Sequence, residues 1–149
     1  MSDQKKQQQL KEVCRSRGVS LTPQRQAIMR ALAVRGDHPT ADQLYDDLSC
    51  QMPGMSRTTV YRVLETFVKL GLVRKVDSRA SKAHFDADVT LHPHLVCLGC
   101  GMVCDFEDRG FGVLHPPAMT DDGFEIVDYA VTLVGYCRQC RHHQKIPSD

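Results

Sequence analysis

Apolar residues recur at helical spacing through the first half of the chain and change to a strand-like rhythm after Gly71. Leu10, Val13 and Cys14 share one face of a helix predicted over about residues 4–17, and Gly18 ends it. Thr22-Pro23 opens a second helix, with Thr22 as N-cap and Pro23 in the first helical position; Ala27, Ile28, Ala31 and Leu32 give it an apolar face. Thr40-Ala41-Asp42-Gln43 is a capping-box pattern that starts a third helix, with Leu44, Tyr45 and Leu48 as its core stripe. Pro53 and Gly54 mark a turn. Ser56 then caps a fourth helix that runs through Val60, Val63, Leu64, Phe67 and Leu70 to Gly71. Beyond it, residues 72–76 and 83–85 read as two short strands joined by a polar turn over 77–82 that carries Arg79 and Lys82. Helices followed by a hairpin are the order of a winged helix-turn-helix.

The second half reads as strands. His94–Leu98 and Met102–Phe106 flank a hairpin tip at Gly99-Cys100-Gly101. In the long segment Phe124–Tyr136, Phe124, Ile126, Ala130 and Val134 point one way and Val127, Tyr129, Val131 and Leu133 the other. Both faces are largely apolar, which predicts burial on both sides and, in so small a domain, packing against a second copy. The expected class is α+β: a winged helix over 1–84, a hinge over 85–90, and a small α/β domain for dimerisation over 91–149.

Charge sharpens this division. Residues 1–82 hold 15 Lys and Arg against 8 Asp and Glu, while 83–149 hold 4 against 10, so a net charge of +1 hides a basic half and an acidic half. A basic half suggests nucleic acid as partner. The early exposed positions of the fourth helix carry suitable groups: Ser56, Arg57, Thr59, Tyr61 and Arg62 offer hydroxyls, a phenol and guanidiniums for phosphates and base edges of double-stranded DNA. The same residues would also suit a plain solvated helix face. No apolar run is long enough to span a membrane, and Met1–Lys11 has no apolar core of a signal peptide. A cytoplasmic protein is therefore expected.

Four of the seven cysteines form two C-x-x-C pairs, Cys97/Cys100 and Cys137/Cys140, separated by 36 residues. Four thiolates are the ligand set of a closed tetrahedral structural zinc site. Two disulfides or four unrelated buried thiols are the alternatives, and a reducing compartment argues for metal. Cys14, Cys50 and Cys104 are expected as small buried hydrophobes. His38, His84, His92 and His94 fall near the domain junction, with Asp86 and Asp105 on neighbouring segments. His92 and His94 are two apart, so on a regular strand both rings face the same side. Imidazole and carboxylate together suit Fe2+, Mn2+ or Zn2+. A metallohydrolase would also need a general base that is not a ligand, and only His84 and Glu107 stand close to this cluster in sequence.

The strings His38-Pro39-Thr40-Ala41-Asp42 and Thr59-Val60-Tyr61-Arg62-Val63-Leu64, with His92-x-His94-Leu95-Val96-Cys97-x-x-Cys100-Gly101, resemble the ferric uptake regulator (Fur) superfamily over about residue 10 to Cys140. The resemblance implies a homodimeric, metal-dependent repressor that binds operator DNA and is not an enzyme. It implies structural Zn2+ on Cys97, Cys100, Cys137 and Cys140, and a regulatory Fe2+ or Mn2+ on His38, Asp86, His92, His94 and Asp105. It matches Tyr61 and Arg62 to the family's DNA-contacting pair. Asp86, and Asp105 within Cys100-Gly101-Met102-Val103-Cys104-Asp105-Phe106, are most similar to the peroxide-sensing branch, PerR, in which iron-driven oxidation strikes a ligand histidine, here His38 or His92. The alternative within the superfamily is an iron- or zinc-uptake regulator that answers to metal level only. A further site found in some members has Tyr129 at its histidine position, so no third site is expected. The family usually carries a helix before its last strand, whereas Arg109–Pro117 is poor helix material. Pro93 should keep His92 extended. His115, His142 and His143 are read as surface residues.

Overall fold

The second, third and fourth helices each begin where a hydroxyl satisfies an orphan backbone N–H group. The structure, a computed structural model, describes residues 3–78, 82–107 and 114–142. It has two compact units, Met1–Thr90 and Leu91–Asp149. In the first, α1 (Asp3–Ser16) is followed by α2 (Pro23–Val34), α3 (Ala41–Ser49) and α4 (Arg57–Lys69). Thr22 Oγ1 accepts from Arg25 N at 3.3 Å, and Ser56 Oγ accepts from Thr59 N at 3.1 Å. At α3 the box is reciprocal: Gln43 N donates to Thr40 Oγ1 at 3.3 Å, and Thr40 N donates to Gln43 Oε1 at 2.8 Å. Such a cap is worth about 1 kcal/mol. Gly18 (φ +64°) and Gly71 (φ +69°) end α1 and α4 in the left-handed conformation that glycine adopts without strain.

Leu10, Ile28, Met29, Leu44, Val60, Leu64 and Phe67 are fully buried and join the four helices into one core. Burying each large side chain contributes about 2 kcal/mol. After Gly71 the chain enters that core before it becomes a strand. Leu72 and Val73 are both buried, and β1 is only Arg74–Val76. The expected strand from residue 72 is thus shortened to three residues. β2 (His84–Asp86) runs antiparallel to β1 in the register Arg74↔Asp86, Lys75↔Phe85 and Val76↔His84. Phe85 is fully buried in the helical core. Asp88 N donates to Asp86 Oδ1 at 2.7 Å and Thr90 N to Asp88 Oδ1 at 2.9 Å, so residues 85–90 are built into this unit. Arg79, expected in the turn, lies outside the described residues.

One buried residue runs against the pattern. Lys6 of α1 is 2 % exposed, and its Nζ has no hydrogen-bond partner among the described residues. Burial pushes its ammonium below the ordinary value of 10.5, against an opposing pull from Asp88 and then Asp86. A lysine with a lowered folded pKa binds fewer protons folded than unfolded between that pKa and the ordinary value. Stability contributed by this group therefore rises with pH across that window and is lost as pH falls through it. Lys6→Met removes this slope and raises stability of the metal-free protein at neutral pH by about 1–2 kcal/mol, as urea titrations at several pH values will read.

In the second unit, β3 (His94–Cys97) lies between β4 (Val103–Asp105), antiparallel, and β5 (Thr132–Gly135), parallel. A short helix, α5 (Arg138–Arg141), follows. The β3–β4 tip closes with Cys97 N donating to Met102 O and Gly101 N to Cys97 O, both at 2.9 Å. The long strand expected over Phe124–Tyr136 is corrected to four residues. Phe124 and Val127 are 66 % and 86 % exposed, and the chain before β5 makes a turn in which Thr120 N donates to Phe124 O at 2.9 Å. Apolar residues on both faces were thus a poor guide to burial within one chain. Leu114–Pro117 has no regular secondary structure, as its prolines require, and Arg109–Val113 lies outside the described residues.

Candidate metal centres and nucleic-acid interface

Two tight segments bring the four cysteine sulfurs together. Cys97 ends β3, Cys100 lies in the β3–β4 tip, and Cys137 and Cys140 flank the start of α5. All four Sγ atoms lie within 4.8 Å of one another, and Cys100 Sγ is 3.9 Å from Cys137 Sγ. Four sulfurs about 2.3 Å from a central zinc ion stand about 3.8 Å apart at the edges of a tetrahedron. A disulfide needs about 2.05 Å, and all the cysteines are free thiols. The spacing therefore fits a metal and excludes the disulfide alternative for this arrangement.

The backbone prepares the cluster for its charge. Cys137 N donates to Cys97 Sγ at 3.3 Å. That bond, and then one from Cys100 N, holds the Cys97 thiol down to about 6, which favours its thiolate. Cys140 is pushed up to about 12, first through its hydrogen bond to Cys137 and then through Cys97. Thiolates crowded this closely need a cation to ionise together. Gly99 belongs to the same construction: a Cβ there would stand 2.7 Å from Cys140 Cβ and 2.8 Å from Cys140 Sγ, so only glycine lets the tip approach α5.

The histidines and aspartates form one group in each unit. In the first unit, His38 Nε2 is 3.3 Å from Asp86 Oδ2, and both side chains are buried. His38 precedes α3 in a left-handed conformation (φ +49°), and Asp86 ends β2. The two segments are pinned together: Phe85 N donates to Pro39 O at 2.9 Å, and His84 Nδ1–H donates to His38 O at 2.5 Å. In the second unit, the β3–β4 register places His94 opposite Asp105. Asp105 Oδ1 is 3.0 Å from His92 Nε2 and 3.7 Å from His94 Nε2, and the two imidazole centroids are 4.5 Å apart. Phe106 N donates to Pro93 O at 2.9 Å, which ties the residue between the two histidines to the end of β4. Neutral imidazole nitrogens and carboxylate oxygens converging in this way are a donor set for Fe2+, Mn2+ or Zn2+.

At the head of α4 the picture departs from the expectation. Tyr61 and Arg62 are exposed. Ser56 and Thr59 are engaged with each other, Oγ to Oγ1 at 2.9 Å, on top of the Ser56 cap. Arg57 reaches back to α3, with Nη1 2.8 Å from Asp42 Oδ1 and Nη2 3.0 Å from Asp46 Oδ1. Its guanidinium lies over the Tyr45 ring at 4.4 Å. Lys82 Nζ also donates to Asp42. Sequence reading did not place Asp42 and Asp46 beside Arg57, and it set His84 near the metal ligands without its bond to the His38 carbonyl; the i, i+4 spacing of the two aspartates on α3 was the available signal. Cys50 is exposed rather than buried, being in the turn after α3. Cys104 is half-buried, with its thiol pushed up by burial and then by Asp105. His115 and His142 are exposed as expected, and His143 lies outside the described residues. Tyr129 donates its OH to Leu114 O at 2.5 Å.

The family model described as "Ferric uptake regulator family" matches residues 16–134. The chain belongs to the ferric uptake regulator family. It is 35 % identical over 127 residues to the peroxide-responsive repressor PerR of Staphylococcus epidermidis, covering 85 % of each chain. Its fold superposes on the Helicobacter pylori ferric uptake regulator with a TM-score of 0.75 at 16 % identity, over 95 % of each chain. It also resembles PerR from Streptococcus pyogenes, the subject of work on peroxide sensing and gene regulation, with a TM-score of 0.54 at 26 % identity over 90 % of this chain and 92 % of that one. As a Fur-family protein it is a metal-responsive regulator, not an enzyme, and its architecture is a winged helix followed by a small α/β domain. Among its described residues no helix is long and apolar enough to cross a membrane.

Proposed function

We propose that this Fur-family protein is a cytoplasmic, homodimeric repressor that binds operator DNA when metal-loaded and senses peroxide through oxidation of His38 or His92. The carrying observation is Asp105 Oδ1 at 3.0 Å from His92 Nε2, an aspartate set against a histidine in the peroxide branch's own sequence context. The PerR relative supports the same branch. In this reading Zn2+ is structural on Cys97, Cys100, Cys137 and Cys140. His38, Asp86, His92, His94 and Asp105 would hold one Fe2+ or Mn2+, the ligand set that the family resemblance implies. Ser56, Arg57, Thr59, Tyr61 and Arg62 form the DNA face.

Bound Fe2+ would supply reductive cleavage of the peroxide O–O bond. The residues do the rest. Asp86 and Asp105 bring two negative charges, which favour the higher oxidation state. His38 and His92 would be the ligand imidazoles open to oxidation. A ring that gains oxygen loses its basic nitrogen and holds metal poorly. Once the ion is lost, nothing in the donor set couples the winged helix to the second unit, and the DNA-competent arrangement loses its bias.

Mass spectrometry of the iron-loaded protein after peroxide treatment tests this. One oxygen added at His38 or His92, with loss of operator binding, is expected. Oxygen at neither residue with binding intact would overturn peroxide sensing and leave a regulator of iron or zinc uptake, which releases DNA on chelation and ignores low peroxide.

A further inference from the structure

We propose that Asp42 competes with DNA phosphate on the nucleic-acid face, occupying with its carboxylate the place of a phosphate on Arg57 and Lys82 and lowering affinity until DNA displaces it. The inference rests on the DNA-binding reading above and concerns which contacts that face makes.

Arg57 is the first residue of α4, where the helix dipole disfavours a cation. Left alone, its guanidinium would extend into solvent with its fork ready for phosphate oxygens. It is instead closed on both sides. Asp42 takes Nη1 at 2.8 Å, Asp46 takes Nη2 at 3.0 Å, and Tyr45 lies under the plane at 4.4 Å. Lys82, from the segment between the hairpin strands, donates to the other oxygen of Asp42. Two cations are thus balanced by two carboxylates. Lys82 first and Arg57 next hold the Asp42 carboxyl below the usual carboxylate range, so it stays charged wherever DNA binding is measured.

This closure has a consequence for DNA. Binding without sequence preference is supplied almost wholly by cation–phosphate contacts and counterion release. Arg57 and Lys82 add nothing to that attraction while Asp42 holds them. The cluster is exposed: the side chains of Arg57 and Lys82 are 52 % and 66 % accessible. Exposed ion pairs are weak and open readily. When base contacts by neighbouring residues such as Tyr61 and Arg62 fix α4 against an operator, a phosphate oxygen can replace each Asp42 oxygen with the same hydrogen-bond geometry. DNA that displaces Asp42 must break its ion pairs, so Asp42 lowers affinity for the operator by that cost and for DNA that never displaces it by no more than the same cost.

The test is Asp42→Asn in the full-length, metal-loaded protein, titrated over a range of salt against poly(dI-dC) and against a duplex selected from a random pool by the wild type. Asparagine keeps the shape of α3 and leaves the Thr40–Gln43 capping box in place. Affinity for poly(dI-dC) is expected to rise about tenfold, with a salt slope steeper by about 1–2, near 0.9 per phosphate gained. Affinity for the selected duplex is expected to rise by at least as much. Adding Arg57→Gln should remove about half the gain in slope, and Asp42→Glu should behave as wild type. A gain in affinity for poly(dI-dC) with an unchanged salt slope would overturn the assignment, since Asp42 would then act only as an acid near DNA. A loss on the selected duplex with an unchanged slope would also overturn it, making Asp42 a structural brace. Failure of the wild type to bind any duplex at low salt is a separate result, which defeats the DNA-binding reading itself.

Discussion

Cys97→Ser will release the metal from the four-cysteine cluster and unfold residues 91–149 while leaving 1–90 folded. Buried area decides this. Among the described residues of the second unit, only His94, Val96, Cys97, Gly101 and Val103 are buried. Strands of three or four residues with so little enclosed apolar surface cannot offset the entropy of ordering the chain. Structural zinc in small domains contributes about 10–16 kcal/mol of apparent binding energy, and that energy is folding energy. The first unit has a core of its own and no such need. Serine is close in shape to cysteine, so the change acts through ligation rather than packing. A chelator strong enough to strip the site should reproduce it in the unmodified protein. The measurement is elemental zinc content together with amide NMR: loss of the β3, β4 and β5 resonances with the α1–α4 set retained is the expected result. A variant that loses zinc yet keeps the β3–β5 pairing would show that the metal is dispensable to the fold.

The helices of the first unit were legible because each carries its own punctuation. Thr22-Pro23, the Thr40–Gln43 box, Ser56, Gly18 and Gly71 do in the structure what their chemistry permits anywhere. The cysteine cluster was legible because C-x-x-C spacing constrains geometry locally. Two things were not. Phe124–Tyr136 reads as a strand buried on both faces, but residues 124–131 leave the sheet and only 132–135 pair with β3. Apolar content reports what a segment could bury, not whether one chain supplies the cover. The ion pairs of Arg57 were hidden for a different reason. Asp42 and Lys82 are 40 residues apart, and only the docking of the hairpin beside α3 and α4 brings them together. The same holds for His84, whose partner is a backbone carbonyl 46 residues away.

That last contact carries the second large effect. His38 holds a left-handed backbone conformation at φ +49°, one that a β-carbon makes unfavourable by about 1–2 kcal/mol. Two bonds from β2 fix it there, Phe85 N to Pro39 O and His84 Nδ1–H to His38 O. The first is backbone and survives any side-chain change. The second is not, and it is the one made to the strained residue itself. His84→Leu keeps bulk at a position only 8 % exposed but removes the donor and leaves the His38 carbonyl without it. The turn should then relax and move the His38 imidazole away from Asp86, its neighbour at 3.3 Å. Outer partners that orient a metal ligand are worth about 10–100-fold in affinity, so Mn2+ binding followed by calorimetry should weaken by that factor. The first unit should lose about 1–3 kcal/mol, as expected for an unmet buried polar group. His84→Asn, whose amide nitrogen can reach the same carbonyl from a similar position, should recover most of the affinity. Destabilisation alone, with Mn2+ affinity unchanged in His84→Leu, would mean that His84 braces the turn without orienting the ligand.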